Sequence, residues 1–183
     1  TCWPTCNSCN APIPARSGKA MNPATTQSRE DRVWELLGNI PDPEIPVLTL
    51  TDLGIVRWVR ANDGGVVVGI SPTYSGCPAT EYIEQNIVSE LEQRGFSNVT
   101  TERVLSPAWT TDWLSDDGRR KLHEYGIVPP DRAAESKRAL FHADLQIACP
   151  RCASTDTSRV SEFGSTPCKS SYKCKACLEP FEY

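Results

Sequence analysis

Histidine is almost missing from this chain: there are two in 183 residues, His123 and His142, and neither lies beside a cysteine motif. A thiol enzyme that relies on imidazole to activate its cysteine therefore has no base indicated by the sequence. Basic residues are in short supply as well. Nineteen Lys and Arg face 23 Asp and Glu, for a formal charge of -4 and a pI near 5.3, which disfavours nucleic acid as a partner bound through broad phosphate neutralisation. Long apolar runs are absent. Segments such as Val66–Ile70 are strand-sized, and the first residues lack the charged-then-apolar layout of a signal peptide, so the expectation is a soluble, cytoplasmic protein with no membrane partner. Methionine occurs once, at Met21. One reading is that translation starts there and that residues 1–20 are an upstream extension.

Cysteine, by contrast, is plentiful. The nine cysteines are odd in number and include pairs spaced by two residues, which points to thiols or metal ligands in a reducing compartment and not to a secreted disulfide framework. Cys149-Pro-Arg-Cys152 and Cys174-Lys-Ala-Cys177 form two C-x2-C knuckles at zinc-ribbon spacing, each offering two sulfurs to one ion. Thr155–Phe163 and Ser171–Lys173 can pair as a hairpin turning near Gly164. So short a segment cannot build a sufficient apolar core, and a structural Zn²⁺ held by four thiolates would supply most of its folding energy. Cys168 is surplus to that set. It reads as an unliganded surface thiol, an extra or alternative ligand, or a sign that the metal is an iron–sulfur cluster; the paired knuckles favour zinc. Near the N-terminus, the spacing of Cys2, Cys6 and Cys9 resembles the cluster loop of radical S-adenosylmethionine enzymes. No βα repetition follows it, and that reading is rejected.

Residues 1–27 are rich in Pro, Ser, Thr and Asn and read as a disordered extension. Ser28 caps a short amphipathic helix carrying Val33, Trp34, Leu36 and Leu37. The prolines of Ile40–Pro46 then hold Asp42 and Glu44 on a stiff loop, either as a polar turn or as carboxylates placed beside a reactive group. Two β-rich runs, Ile55–Arg60 and Val66–Ser71, flank a strong hairpin signal at Ala61–Gly65. The second run leads into Ser71–Pro78, where Pro78 at the first helical position would make Cys77 the N-cap, facing the free amides of Ala79 and Thr80. A thiol so placed could ligate metal or attack an electrophile. A small apolar cap packed in a core is the alternative. From Pro78 the positions Ala79, Ile83, Ile87 and Leu91 define one buried helical face, ended by Gly95.

Asn98–Leu105 reads as a third strand, so that a helix packs across one face of a small mixed sheet in a two-layer α+β domain. Trp109 and Trp113 follow as core residues, with an apolar wall around a thiol site as the functional alternative. Ser115 caps a helix over Asp116–Tyr125, closed by Gly126 and the Pro129-Pro130 pair. The organisation expected is a first domain over 28–128, a linker over 129–144 and a zinc β-ribbon over 145–183.

Three motifs carry a resemblance. Asp42-Pro-Glu-Ile-Pro46, Asp52-Leu-Gly-Ile-Val56 and Thr73-Tyr-Ser-Gly-Cys-Pro78 resemble the core motifs of the MIP18 family (formerly the domain of unknown function 59), whose members act in iron–sulfur cluster assembly and carriage. Pro107-Ala-Trp-Thr-Thr-Asp-Trp113, Ser161-Glu-Phe-Gly-Ser165 and Glu179-Pro-Phe181 narrow the resemblance to the members encoded with phenylacetyl-CoA monooxygenase (epoxidase). It implies an accessory, non-catalytic protein that helps mature or supply the metal centres of the oxygenase or its ferredoxin-type reductase, with a homodimer as one arrangement. Cys77 would then be the reactive thiol, carrying a transient iron–sulfur cluster or iron, with Asp42, Glu44, Asp52 and Thr73 nearby. A non-catalytic scaffold of the oxygenase complex and a thiol-dependent acyl-CoA enzyme are the competing readings.

Overall fold

Alternating apolar residues and a two-residue turn at Asp63-Gly64 dictate the centre of the molecule, an antiparallel hairpin of β1 (Val56–Asn62) and β2 (Gly65–Ile70). It is seen in a computed structural model that describes residues 28–74, 76–130 and 147–183. Val66, Val68 and Ile70 of β2 point to one face and are buried, as a two-residue side-chain period requires. On the opposite face Gly69 leaves room for the Trp58 ring, and a Cβ there would lie 2.2 Å from Trp58 Cε2. After β2 the chain crosses over through α2 (Thr80–Gln93) to β3 (Val99–Arg103), which pairs parallel to β2 from Val66↔Val99 to Ile70↔Arg103. A parallel partner cannot be reached by a tight turn, so the intervening helix is obligatory. The sheet order is β1-β2-β3 with β2 central, the mixed sheet expected from the sequence.

Helix α1 (Arg29–Leu37) begins at Ser28, whose hydroxyl accepts from the Asp31 amide while the Asp31 carboxylate accepts from the Ser28 amide, a reciprocal cap. Val33 and Leu37 of α1 join Ile83, Ile87 and Leu91 of α2 in one core with the sheet, giving the two-layer α+β architecture. A short 3-10 turn (Thr111–Trp113) leads to α3 (Asp116–Tyr125), capped by Ser115 and closed by Gly126 at φ 94°, a conformation that glycine adopts without strain.

A second small sheet, β4 (Thr157–Ser161), β5 (Ser171–Cys174) and β6 (Pro180–Glu182), is antiparallel throughout. Its own core is Ile147, Tyr172, Phe181 and two cysteines. The two cores meet through main chain: the Val128 amide donates to the Glu182 carbonyl (2.9 Å), and Val128 packs on the ribbon core. Residues 1–27, with the three-cysteine motif, and 131–146, with most of the expected linker, lie outside the described residues. Among the described residues no helix is long and apolar enough to cross a membrane.

Candidate metal and thiol sites

The turns of the two C-x2-C knuckles bring four sulfurs together. Cys149, Cys152, Cys174 and Cys177 Sγ atoms all lie within 4.8 Å of one another, with Cys149–Cys177 at 3.7 Å and Cys152–Cys174 at 3.6 Å. Four thiolates about 2.3 Å from a tetrahedral Zn²⁺ lie about 3.8 Å apart, so the donor set and its spacing fit zinc. The Cys177 amide, 3.5 Å from Cys174 Sγ, leads the influences that bring the Cys174 thiol down to about 7. At Cys177 the Glu179 amide pulls the other way, yet burial and the neighbouring thiols push that thiol up to about 12. Four like groups in such proximity cannot all ionise without a cation among them. Zinc here would act as a structural cross-link between the knuckle before β4 and the one that begins at the last residue of β5. Cys168, expected as a possible extra or alternative ligand, is not among these four sulfurs.

The second site forms around Cys77. The structure corrects the expected N-cap: α2 starts at Thr80, and its cap residue Ala79 is in the αR region with no side-chain cap bond. Pro78 and Ala79 are spent on a turn in which the Cys77 amide donates to the Tyr74 carbonyl (3.2 Å) and the Cys77 carbonyl accepts from the Thr80 amide (3.3 Å). Cys77 therefore precedes the cap residue by two positions, and the Thr80 amide is taken by its main-chain carbonyl. It is half-buried and lines a cavity of ≈ 330 Å³ together with Asp42, Glu44, Thr73, Tyr74 and Cys168. Apolar side chains, Ile45, Leu53, Ile70 and Trp109 among them, form much of the remaining wall.

Asp42 is buried, and its Oδ1 accepts from the amides of Glu44 (2.9 Å) and Ile45 (2.8 Å). This is the polar-turn role weighed for it from the sequence, and it makes Asp42 the loop's local brace. Burial outweighs those bonds and raises its carboxyl above the ordinary range. Glu44 is turned toward the ribbon, where Cys168 Sγ donates to its Oε2 at 3.3 Å. Desolvation, and Glu44 beside it, push the Cys168 thiol up. The Tyr74 hydroxyl is buried and makes no hydrogen bond of normal geometry. Burial raises its ionisation first, followed by the charges of Cys77, Glu44 and Cys168 and by the Cys77 side chain as a hydrogen-bonding neighbour.

Asp52 stands apart from this group and does not line the cavity. Its carboxylate accepts from the Thr49 amide (3.1 Å), the Ser115 hydroxyl (2.9 Å) and Lys121 Nζ (2.8 Å), tying the loop before β1 to α3. Trp109 serves both of the roles considered for the tryptophans: it packs on the core, donates from Nε1 to the Leu53 carbonyl (2.9 Å) and walls the cavity. Trp113 instead stacks under the Arg57 guanidinium, 3.2 Å from the ring centre. Tyr74 and the pairing of Glu44 with Cys168 are not foreseeable from the sequence. The first lies inside a motif with nothing to single it out, and the only signal for the second is a cysteine left over from the zinc set.

Comparison with known proteins separates the same two parts. Residues 30–100 match the model of the family described as iron–sulfur cluster assembly protein, and residues 133–183 match the PaaD zinc beta ribbon domain. A protein of Escherichia coli (strain K12) described as the fourth-lettered (D) component of 1,2-phenylacetyl-CoA epoxidase is 53% identical over 151 residues, 82% of this chain and 89% of that protein. An Fe-S protein maturation auxiliary factor of Porphyromonas gingivalis is 33% identical over 104 residues, 56% of this chain and 97% of that one. A crystal structure of a DUF59 domain from Bacillus anthracis aligns with TM-score 0.48 at 23% identity, covering 51% of this chain and 90% of that one.

Proposed function

The chain belongs to the MIP18 (DUF59) family of iron–sulfur cluster assembly proteins, and from that premise we propose that it is an accessory maturation factor of a phenylacetyl-CoA epoxidase system, acting in the cytoplasm. In this reading it assembles or delivers the iron or iron–sulfur centres of the oxygenase subunits or of their ferredoxin-type reductase, and performs no turnover of its own. Its kinship with the Escherichia coli epoxidase component over 89% of that protein's length supports the system. The carrier role rests on one observation: the half-buried Cys77 thiol opens into a mostly apolar cavity shared with Glu44 and a second thiol.

Soft sulfur with a carboxylate nearby suits iron, and apolar walls limit the water that would hydrolyse an iron–sulfur cluster. The cluster is cargo, taken up and passed on. Asp42 fixes the turn that presents Glu44, and Thr73 and Tyr74 line the approach to the thiol. A thiol-dependent acyl-CoA enzyme finds less support, because His123 is exposed on α3 and does not line the cavity, so that among the described residues no imidazole base stands beside Cys77.

The test is to produce the epoxidase and its reductase in cells carrying either the natural chain or Cys77→Ser, and to measure iron, labile sulfide and epoxidation in the purified client. The substitution should lower all three, with recovery on supplying the natural chain. A client that is fully metallated with Cys77→Ser would leave a non-catalytic scaffold as the better reading. Turnover of phenylacetyl-CoA by the purified chain alone would overturn the accessory role.

A further inference from the structure

We propose that Cys168 is the second thiol of the carrier site, so that an iron–sulfur cluster is held across the seam between the two cores by Cys77, Cys168 and Glu44 of a single chain. This rests on the carrier reading of Cys77 given above. One cysteine cannot hold a cluster alone, and a second copy of the chain is one means of completing the set. The fold offers another. Cys168 belongs to the ribbon by sequence, yet the four zinc-type sulfurs assemble without it. Its Sγ lies 3.1 Å from Thr166 Oγ1 and 3.3 Å from Glu44 Oε2, so it faces a residue 124 positions away in the other half of the molecule. Both thiols and the Glu44 carboxylate line the same ≈ 330 Å³ cavity.

Two further observations mark this cavity as a built site. Tyr74 lines it, and its buried hydroxyl makes no hydrogen bond of normal geometry, its one hydrogen-bonding neighbour being the Cys77 side chain. A buried donor left unpaired is costly, and a cluster sulfide or a ligating thiolate would provide its acceptor. The seam is also fixed where it borders the site. The Val128 amide bonds the Glu182 carbonyl across it (2.9 Å), and within the ribbon buried Lys169, the neighbour of Cys168, pairs through Nζ with Oε2 of that same Glu182 (3.0 Å).

The donor set sets the chemical class. Two thiolates and one carboxylate suit iron with sulfide better than Mg²⁺ or Ca²⁺, which take oxygen alone. A two-iron cluster accepts four terminal ligands, so three from this chain leave one position for an incoming group. Loading releases the two thiol protons as the sulfurs ligate. In transfer, each entering thiolate of a recipient displaces one of these ligands, the freed Cys77 or Cys168 thiolate takes a proton from water, and the iron keeps its oxidation state.

The test is anaerobic reconstitution of the full chain with iron salt and sulfide, in a background of Cys2→Ser, Cys6→Ser and Cys9→Ser so that those thiols do not contribute. Iron, labile sulfide, visible absorption and elution volume are measured, with zinc content as the check on folding. The expected result is a monomer that loads, with Cys77→Ser and Cys168→Ser each lowering iron retention by at least about tenfold while zinc stays bound, since even outer-shell losses cost metal sites that much. If Cys77→Ser loses iron but Cys168→Ser loads like the parent, the second ligand is not Cys168, and the carrier reading of Cys77 stands. Should both load like the parent, both readings fail. If Cys168→Ser loses zinc as well, the zinc-loaded parent is treated with dibromobimane and digested. A bridged Cys77–Cys168 peptide that disappears after cluster loading supports the site, and its absence overturns it.

Discussion

Replacing Asp52 tests whether that carboxylate is a brace or a ligand. Its Oδ1 accepts from the Ser115 hydroxyl, and its Oδ2 from the Thr49 amide and Lys121 Nζ. Hydrogen bonds to charged groups are worth about 1.5–3 kcal/mol each, but the three do not sum. Lys121 keeps its ion pair with Asp117 at 2.8 Å, and the Ser115 hydroxyl still caps the Gly118 amide. What Asp52→Ala strands is chiefly the part-buried Thr49 amide, together with the tie to α3, for a cost of about 2–4 kcal/mol. In a domain of about 100 residues that corresponds to a fall of roughly 10–20 °C in melting temperature.

Asp52→Asn can keep an oxygen toward Thr49 and turn its amide toward the Ser115 oxygen. It loses mainly the charge opposite Lys121 and should cost about 1 kcal/mol. Circular dichroism melts of the two variants give these differences. The pH dependence has a definite sign. Lys121 and the other donors, prevailing over burial, depress the Asp52 carboxyl below its ordinary 3.8. Its stabilisation is therefore complete above that value, fades as pH falls through the lower folded value, and the gap between parent and Asp52→Asn should close there. A melt of Asp52→Ala within about 3 °C of the parent, well under one kcal/mol, would refute the brace. So would an unchanged melt with loss of cluster loading, which would make Asp52 a ligand.

Asp42 should behave in the opposite sense. Burial raises its carboxyl, so the unfolded chain ionises first and stability drains away as pH rises above the ordinary 3.8. Asp42→Asn keeps the acceptor for the Glu44 and Ile45 amides without the buried charge, and should match or exceed the parent in urea unfolding at pH 7. Asp42→Ala strands both amides and should lose about 1–3 kcal/mol. Titrating the purified chain with a mercurial should release one zinc per chain from the four-sulfur set, and Cys149→Ser should abolish that release together with the ordered ribbon signals in NMR, while amides of α1 and β2 keep their positions.

What is legible in the sequence is what short-range chemistry dictates. Ser28 and Ser115 are visible as caps, Gly126 as a stop, Ala61–Gly65 as a hairpin, and each C-x2-C knuckle as a pair of donors, because each depends on neighbours within a few residues. The start of α2 is not legible in the same way: Pro78 suits a first helical position, but the chain makes one more turn before committing, and the environment of Cys77 changes with that two-residue displacement. The role of Asp52 lies beyond local reading, since Ser115 and Lys121 are 63 and 69 residues away and nothing in its motif names them. Cys168 is harder still. Counting identifies it as surplus, but only the folding of β6 against Val128 turns it toward Glu44.

That contact between Val128 and Glu182 has a consequence for how the two parts could diverge. The ribbon meets the first core through this main-chain bond, and Lys169 holds Glu182, the residue that makes it, from inside the ribbon. A single residue added between Lys169 and Glu182 would slide the register of β5 against β6 and carry Cys168 out of reach of its carboxylate. The spacing inside the ribbon is thus not free to drift in length.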